Sequence, residues 1–199
     1  MLACADMDAE IALQHRAQVE EFRRRHRTGL VTLVFTDLVG STRLKQLLGD
    51  REGVALIQHH HALVREILGQ FTEAQEISTA GDSFFIVFVK PSDAARFALQ
   101  LQARLRTLPQ TAATILDRIG IHIGEVVIEE REGAAKPRDL YGVQVDIAAR
   151  VMSLADGDQI LLTRAAFDNA RQVLKGEELG GVKELQWLNY GPYVLNPKS

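Results

Sequence analysis

Two periodicities alternate along the chain. Residues 30–35, LVTLVF, form an almost unbroken apolar run, which predicts a buried strand that ends in the polar turn TDLVGST. In LLGDREGVALIQHHHALVREILGQF the apolar positions Val54, Ile57, Val64, Leu68 and Phe71 fall with His61 on one helical face. EAQEISTAGDSFFIVFVKP holds two β-prone runs around Ala80-Gly81-Asp82, a hairpin pattern. PSDAARFALQLQARLRTLP returns to helical register through Phe97, Leu101, Leu105 and Leu108, with prolines at both ends. RIGIHIGEVVIEE then alternates strictly, with Ile119, Ile121 and Ile123 on one face and Gly120, His122 and Gly124 on the other. DLYGVQVDIAARVMSLADG predicts a further helix, ILLTRAAFDNAR a short strand and helix, and LQWLNYGPYVL two closing β-prone pieces. Ahead of all this, Ile11, His15, Val19 and Phe22 predict an N-terminal helix over residues 1–29, whose arginine cluster complements its last turn.

Strand, helix, hairpin, helix, strand is the split βαβ arrangement, predicting an α+β, ferredoxin-like, palm-like sheet with helices on one face. Right-handed crossover makes the first two strands parallel, with the third inserted antiparallel between them. The end of the first strand at Asp37 and the hairpin turn at Asp82 then meet at one sheet edge. Read alone, Asp37 is a turn former or a helix cap. Beside Asp82 it becomes half of a carboxylate pair, and such a pair repels itself unless cations sit between, so divalent metal is the natural occupant. Gly40 lets the following backbone approach a ligand, and the helix that opens there offers N–H groups to phosphate. The run His59-His60-His61 reads as part of an amphipathic helix, because consecutive helical residues point about 100° apart and cannot converge on one ion.

Composition narrows the class without choosing an activity. The 199 residues are 46% hydrophobic and 25% charged, with a net charge of −3. This describes a globular domain, and the acidic balance argues against a general nucleic-acid binder. One cysteine, Cys4, excludes an internal disulfide. No stretch approaches the roughly 18 apolar residues of a membrane helix, so the expected location is cytoplasmic.

FTDLVGST, STAGDSFFIVF, GIHIGEV and DLYGVQVDIAARV, in that order and spacing, resemble the class III nucleotidyl cyclase catalytic domain (the adenylate/guanylate cyclase family) over Leu30 to Leu195. The resemblance implies a catalytic domain over residues 30–199. It implies conversion of a nucleoside triphosphate, ATP by default, to a 3′,5′-cyclic nucleotide and pyrophosphate. It further implies a homodimer whose active sites are shared between subunits. Asp37 and Asp82 match the ligands of two divalent ions, Mg²⁺ or Mn²⁺. The backbone of Leu38, Val39, Gly40, Ser41 and Thr42 matches the phosphate cradle. Arg150 matches the partner-supplied arginine of the transition state, although by itself it reads as a solvated helix residue. Asp139 matches a base-recognising position.

The departures concern base and ribose. Ser78 stands where adenylate cyclases of the family often carry lysine and guanylate cyclases glutamate. Asp146 replaces the asparagine that orients the ribose, and an ionised carboxylate can only accept hydrogen bonds. Asn196 and Lys198 lie near the position of a phosphate-binding lysine, and the chain stops before a last strand that the family implies. These departures leave two alternatives: a pyrimidine cyclase making cCMP or cUMP in bacterial antiviral signalling, and a nucleotide-binding or dimerisation module with weak catalysis.

Overall fold

A computed structural model describes residues 27–108, 115–130, 138–177 and 185–192. The expected N-terminal helix lies outside them except for residues 27–29, which are strand and not helix; Asn196 and Lys198 lie outside as well. In chain order the elements are β1 (Arg27–Leu38), α1 (Ser41–Leu48), α2 (Asp50–Leu68), β2 (Ala74–Ala80), β3 (Ser83–Phe88), α3 (Pro91–Thr107), β4 (Asp117–Glu130), β5 (Arg138–Tyr141), α4 (Val143–Leu154), β6 (Ile160–Leu162) and α5 (Arg164–Leu174).

The sheet runs β2-β3-β1-β4-β5, with β6 pairing β4 in parallel. β3 lies antiparallel between β1 and β2, as the split βαβ pattern requires. Alternation along β1 divides the interior into two layers. Val34 faces a core built with α2, α3 and α5, which includes Val64, Ile67, Phe84, Phe88, Phe97, Leu101, Ile119 and Ile121. Leu33 faces the other way, into a smaller cluster with Ile77, Phe85, Val126, Leu140 and Ala148 of α4. Three helices therefore cover one face as expected, and among the described residues α4 lies on the second. Phe35 and Phe85 stack on that second face with ring centroids 4.4 Å apart.

The GIHIG motif explains how α4 comes so close. A Cβ on Gly120 would stand 2.2 Å from the backbone nitrogen of Met152, and one on Gly124 would stand 2.5 Å from the Gln144 side chain. Only hydrogen at these two positions lets α4 lie flat on β4. His122, between them on the same face, is bridged to Gln144 Oε1 at 2.7 Å and Thr163 Oγ1 at 3.0 Å. Gly120→Ala is expected to destabilise the domain by at least about 2 kcal/mol, because backbone rather than a flexible side chain must yield. Urea unfolding reads this directly, and an unchanged midpoint would show that α4 is free to shift.

Two expectations are corrected. The buried side of α2 is Gly53, His60, Leu63, Val64, Ile67 and Leu68, while Val54 is exposed, so the helix is rotated from the face centred on His61. The cause is a polar partner in the core: His60 is fully buried because Asp117 waits for it there. Residues 185–192 form no strand. Instead Leu185 and Trp187 pack on the main core, with Trp187 edge-on to Phe167 at 5.1 Å. Elsewhere the punctuation is as expected: α3 starts at Pro91, carries Asp93 in its first turn and Arg104 and Arg106 in its last, and ends where Leu108 turns extended before a proline.

Candidate active site

β1 delivers Asp37 to the sheet edge on the face that also carries α4, since it follows Leu33 and Phe35 at the period of two. The hairpin delivers Asp82. Ala80 pairs Ser83 across a two-residue turn, and Gly81 takes φ 63, the left-handed conformation that glycine adopts freely at the head of such a turn. The two strands are tied together at this point: Ser83 Oγ donates to Asp37 Oδ1 at 2.5 Å. Sequence reasoning thus placed both carboxylates at one edge, and the ladder brings them there.

Arg118 was not foreseen. It lies directly across from Asp37 in the β1–β4 register, and its Nε and Nη2 donate to Asp37 Oδ2 at 2.9 and 2.5 Å. The guanidinium is one-third exposed. Its alternation in β4 was legible, but the register that sets it opposite Asp37 was not.

Asp82 Oδ2 is buried and has no hydrogen-bond partner among the described residues. A buried acceptor left so costs free energy unless something electropositive meets it. Among the described residues no three His, Cys, Asp or Glu side chains gather as a self-sufficient metal cluster. Two carboxylates without further protein ligands suit Mg²⁺ or Mn²⁺, which are held through one or two carboxylates and complete their shells with water and substrate phosphate. The donor set fits a divalent ion whose remaining positions are filled by water or phosphate oxygens.

The turn after β1 supplies backbone donors, though fewer than expected. Val39 N–H is already bonded to Leu116 O at 2.9 Å, which takes it out of the cradle. Gly40 is left-handed, and the first rung of α1 is Leu44 N–H to Gly40 O. The N–H groups of Ser41 and Thr42 precede that rung and stand outside the helical ladder.

Ser78 is half-buried and shares a cross-sheet line with Phe85, Phe35 and Gly120. A register shift between Glu76 and Ser78 sets it there, while Glu76 is held on the opposite face by Arg65 at 2.8 and 2.9 Å. That hydrogen bond keeps the Glu76 carboxyl below its usual range. Asp139 is far from this edge. It pairs Glu129 in the β4–β5 hairpin, eleven residues along β4 from Arg118, so about 35 Å of strand at roughly 3.3 Å per residue separates it from Asp37. Its carboxylate accepts from its neighbour Leu140 N–H at 3.0 Å and from Tyr141 Oη at 2.9 Å. Asp146 is exposed in the first turn of α4, and Arg150 follows one turn later without an ion pair among the described residues. The structure therefore brings Asp37, Asp82, Ser83, Arg118 and the Gly40 turn together, and keeps Asp139 apart from them within one chain.

Residues 24–183 match the adenylate and guanylate cyclase catalytic domain. The chain belongs to that family. Receptor-type adenylate cyclase GRESAG 4.3 of Trypanosoma brucei brucei is 32% identical over 177 residues, which cover 70% of this chain but 14% of that protein. An uncharacterised Mycobacterium tuberculosis protein is 36% identical over 143 residues, covering 71% of this chain and 45% of the other. This cyclase-family chain thus spans less than half the length of these relatives. Among solved structures, a Trypanosoma brucei adenylate cyclase in its monomeric state is 28% identical with a TM-score of 0.63, over 72% of this chain and 79% of that one. The guanylate cyclase domain of RhGC from Catenaria anguillulae, in complex with GTP, shares the fold at a TM-score of 0.62 and 22% identity, over 74% of this chain and 82% of that one. No helix among the described residues is long and apolar enough to cross a membrane.

Proposed function

We propose that the chain is a nucleotidyl cyclase that turns a nucleoside triphosphate, ATP by default, into its 3′,5′-cyclic monophosphate and pyrophosphate, as a homodimer with two shared sites. The observation that carries the reading is the edge where Asp37 and the half-buried Asp82, whose Oδ2 is unpartnered among the described residues, meet beside Arg118. Support for the dimer comes from the strand length between Asp139 and Asp37, since a base reader so far from the metal edge must serve the site of another chain. Val143, Tyr141, Val127 and Leu154 add exposed apolar surface around β5 and α4.

In the reaction the ribose 3′-oxygen attacks the α-phosphorus. The new phosphorus–oxygen bond forms as the bond to the α–β bridging oxygen breaks, pyrophosphate carries away the electron pair, and the hydroxyl proton passes to water. Asp37 and Asp82 would hold two divalent ions, which when bound neutralise the triphosphate and make the 3′-hydroxyl easier to deprotonate. The N–H groups of Ser41 and Thr42 bind phosphate oxygens at the opening of α1. Arg118, which holds Asp37 Oδ2 through Nε and Nη2, lies close enough to the same edge that its guanidinium would offer bidentate donors to the phosphates were Asp37 to hold an ion. Arg150 of the partner subunit supplies positive charge where negative charge grows on the α-phosphate. Asp139 accepts from the base, Ser78 offers a rotatable hydroxyl, and Asp146 can accept from a ribose hydroxyl.

Incubation of the pure chain with each of the four nucleoside triphosphates and Mn²⁺, with products identified by mass, tests the reading. Cyclic AMP is expected as the main product. Absence of any cyclic product would reduce the domain to a nucleotide-binding module.

A further inference from the structure

We infer that His61 of α2 is a positioning residue for the metal edge, fixing the turn that carries Asp82 through a hydrogen bond to the backbone of that turn. His61 Nε2 donates to Gly81 O at 2.9 Å, one residue before the carboxylate. The ring meets Phe84 edge-on at 5.0 Å, so the same side chain touches both the turn and the start of β3. Gly81 is exposed, and the bond to its carbonyl adds a restraint from α2 to a turn otherwise closed by the Ala80–Ser83 pair.

The donor is itself held in place. His60, adjacent in α2, is fully buried with Nε2 2.9 Å from Asp117 Oδ2, and Asp117 is fully buried too. Asp117 precedes Arg118 and pairs Leu38 across the ladder, so this contact pins α2 to the other side of the same edge. Gln102 of α3 holds the Asp117 carbonyl at 2.8 Å. Two consecutive histidines, pointing about 100° apart, thus reach the two strands that flank the carboxylates. Burial pushes the Asp117 carboxyl above its ordinary range, opposed by the His60 bond and reinforced by the charges of Asp37 and Asp82. Burial also holds the His61 imidazole below its ordinary value.

The proposal rests on Asp82 being a metal ligand. Its test compares wild type with His61→Phe, which keeps a ring against Phe84 without the donor, and His61→Gln, which keeps a donor at the same reach without the ring. Mn²⁺ alone is titrated into each full chain by calorimetry, with urea unfolding alongside. His61→Phe is expected to weaken Mn²⁺ binding at least fivefold while unfolding near the wild-type midpoint, and His61→Gln to bind within about twofold of wild type. Equal binding by wild type and His61→Phe would overturn the proposal, as would His61→Gln binding as poorly as His61→Phe. Wild type that binds no Mn²⁺ at all would instead sink the carboxylate-pair reading beneath it, and this inference with it.

Discussion

Asp82→Ala is expected to lower cyclase activity by at least about a thousandfold with either Mg²⁺ or Mn²⁺, equivalent to roughly 4 kcal/mol of transition-state stabilisation. Its thermal midpoint should stay unchanged or rise. The reason lies in the two fates of its carboxylate. Without metal, Oδ2 is buried and unpartnered, and it adds repulsion at an edge that already holds Asp37 and the buried Asp117. In the proposed reaction it would be a metal ligand, and neutralisation of the phosphates would depend on it. Asp37→Ala should be as inactive yet less stable, because it also strips Arg118 and Ser83 of their shared acceptor. That pair is part-exposed, so its loss should cost about 1 kcal/mol or less. Steady-state rates and melting curves for both variants decide the matter. Near wild-type turnover in either one would remove that carboxylate from the mechanism.

The second large effect appears on mixing. Asp37→Ala and Arg150→Ala are each expected to be inactive alone, and to recover up to about one-quarter of wild-type activity when co-expressed in equal amounts. Half of randomly paired dimers are mixed, and each mixed dimer rebuilds one intact site of its two. The motivation is that Arg150 has no ion pair among the described residues, while Asp139 lies the length of β4 away from Asp37. Tandem purification of two differently tagged variants isolates the mixed dimer. An inactive mixed dimer would mean that each chain completes its own site.

Much of the sheet edge that carries Asp37 and Asp82 was legible in the sequence. The apolar run ending at Asp37, the hairpin around Gly81-Asp82 and the strict alternation of Gly120, His122 and Gly124 are local patterns, and local patterns with a forced crossover hand leave few topologies. The four motifs carried the family for the same reason: each is a short stretch with a glycine that either takes a positive φ, as Gly40, Gly81 and Gly142 do, or makes room for α4, as Gly120 and Gly124 do. The face of α2 was misjudged because apolar spacing treats histidine as a neutral bystander. The deciding residue, Asp117, stands 57 positions away from His60. Likewise the β-prone residues 185–192 carried a strand propensity that packing overruled, Trp187 gaining more against Phe167 and the core than a ladder there would give.

By itself, then, the sequence determined how β1, β2 and β3 pair, which carboxylates share an edge and which family the chain belongs to, because those follow from periodicity, turn chemistry and short-range geometry. β5 and the parallel pairing of β6 with β4 were not legible there. Register belonged to the tertiary structure. Only the ladder sets Arg118 opposite Asp37, takes Val39 N–H for Leu116, shifts β2 by one residue to turn Ser78 onto the Phe35–Phe85 face, and seats His61 against Gly81. A one-residue slip in any of these pairings would leave the hydrophobic count almost intact while exchanging every polar partner at the edge, and it is the packing of two cores on opposite faces of one sheet that forbids the slip.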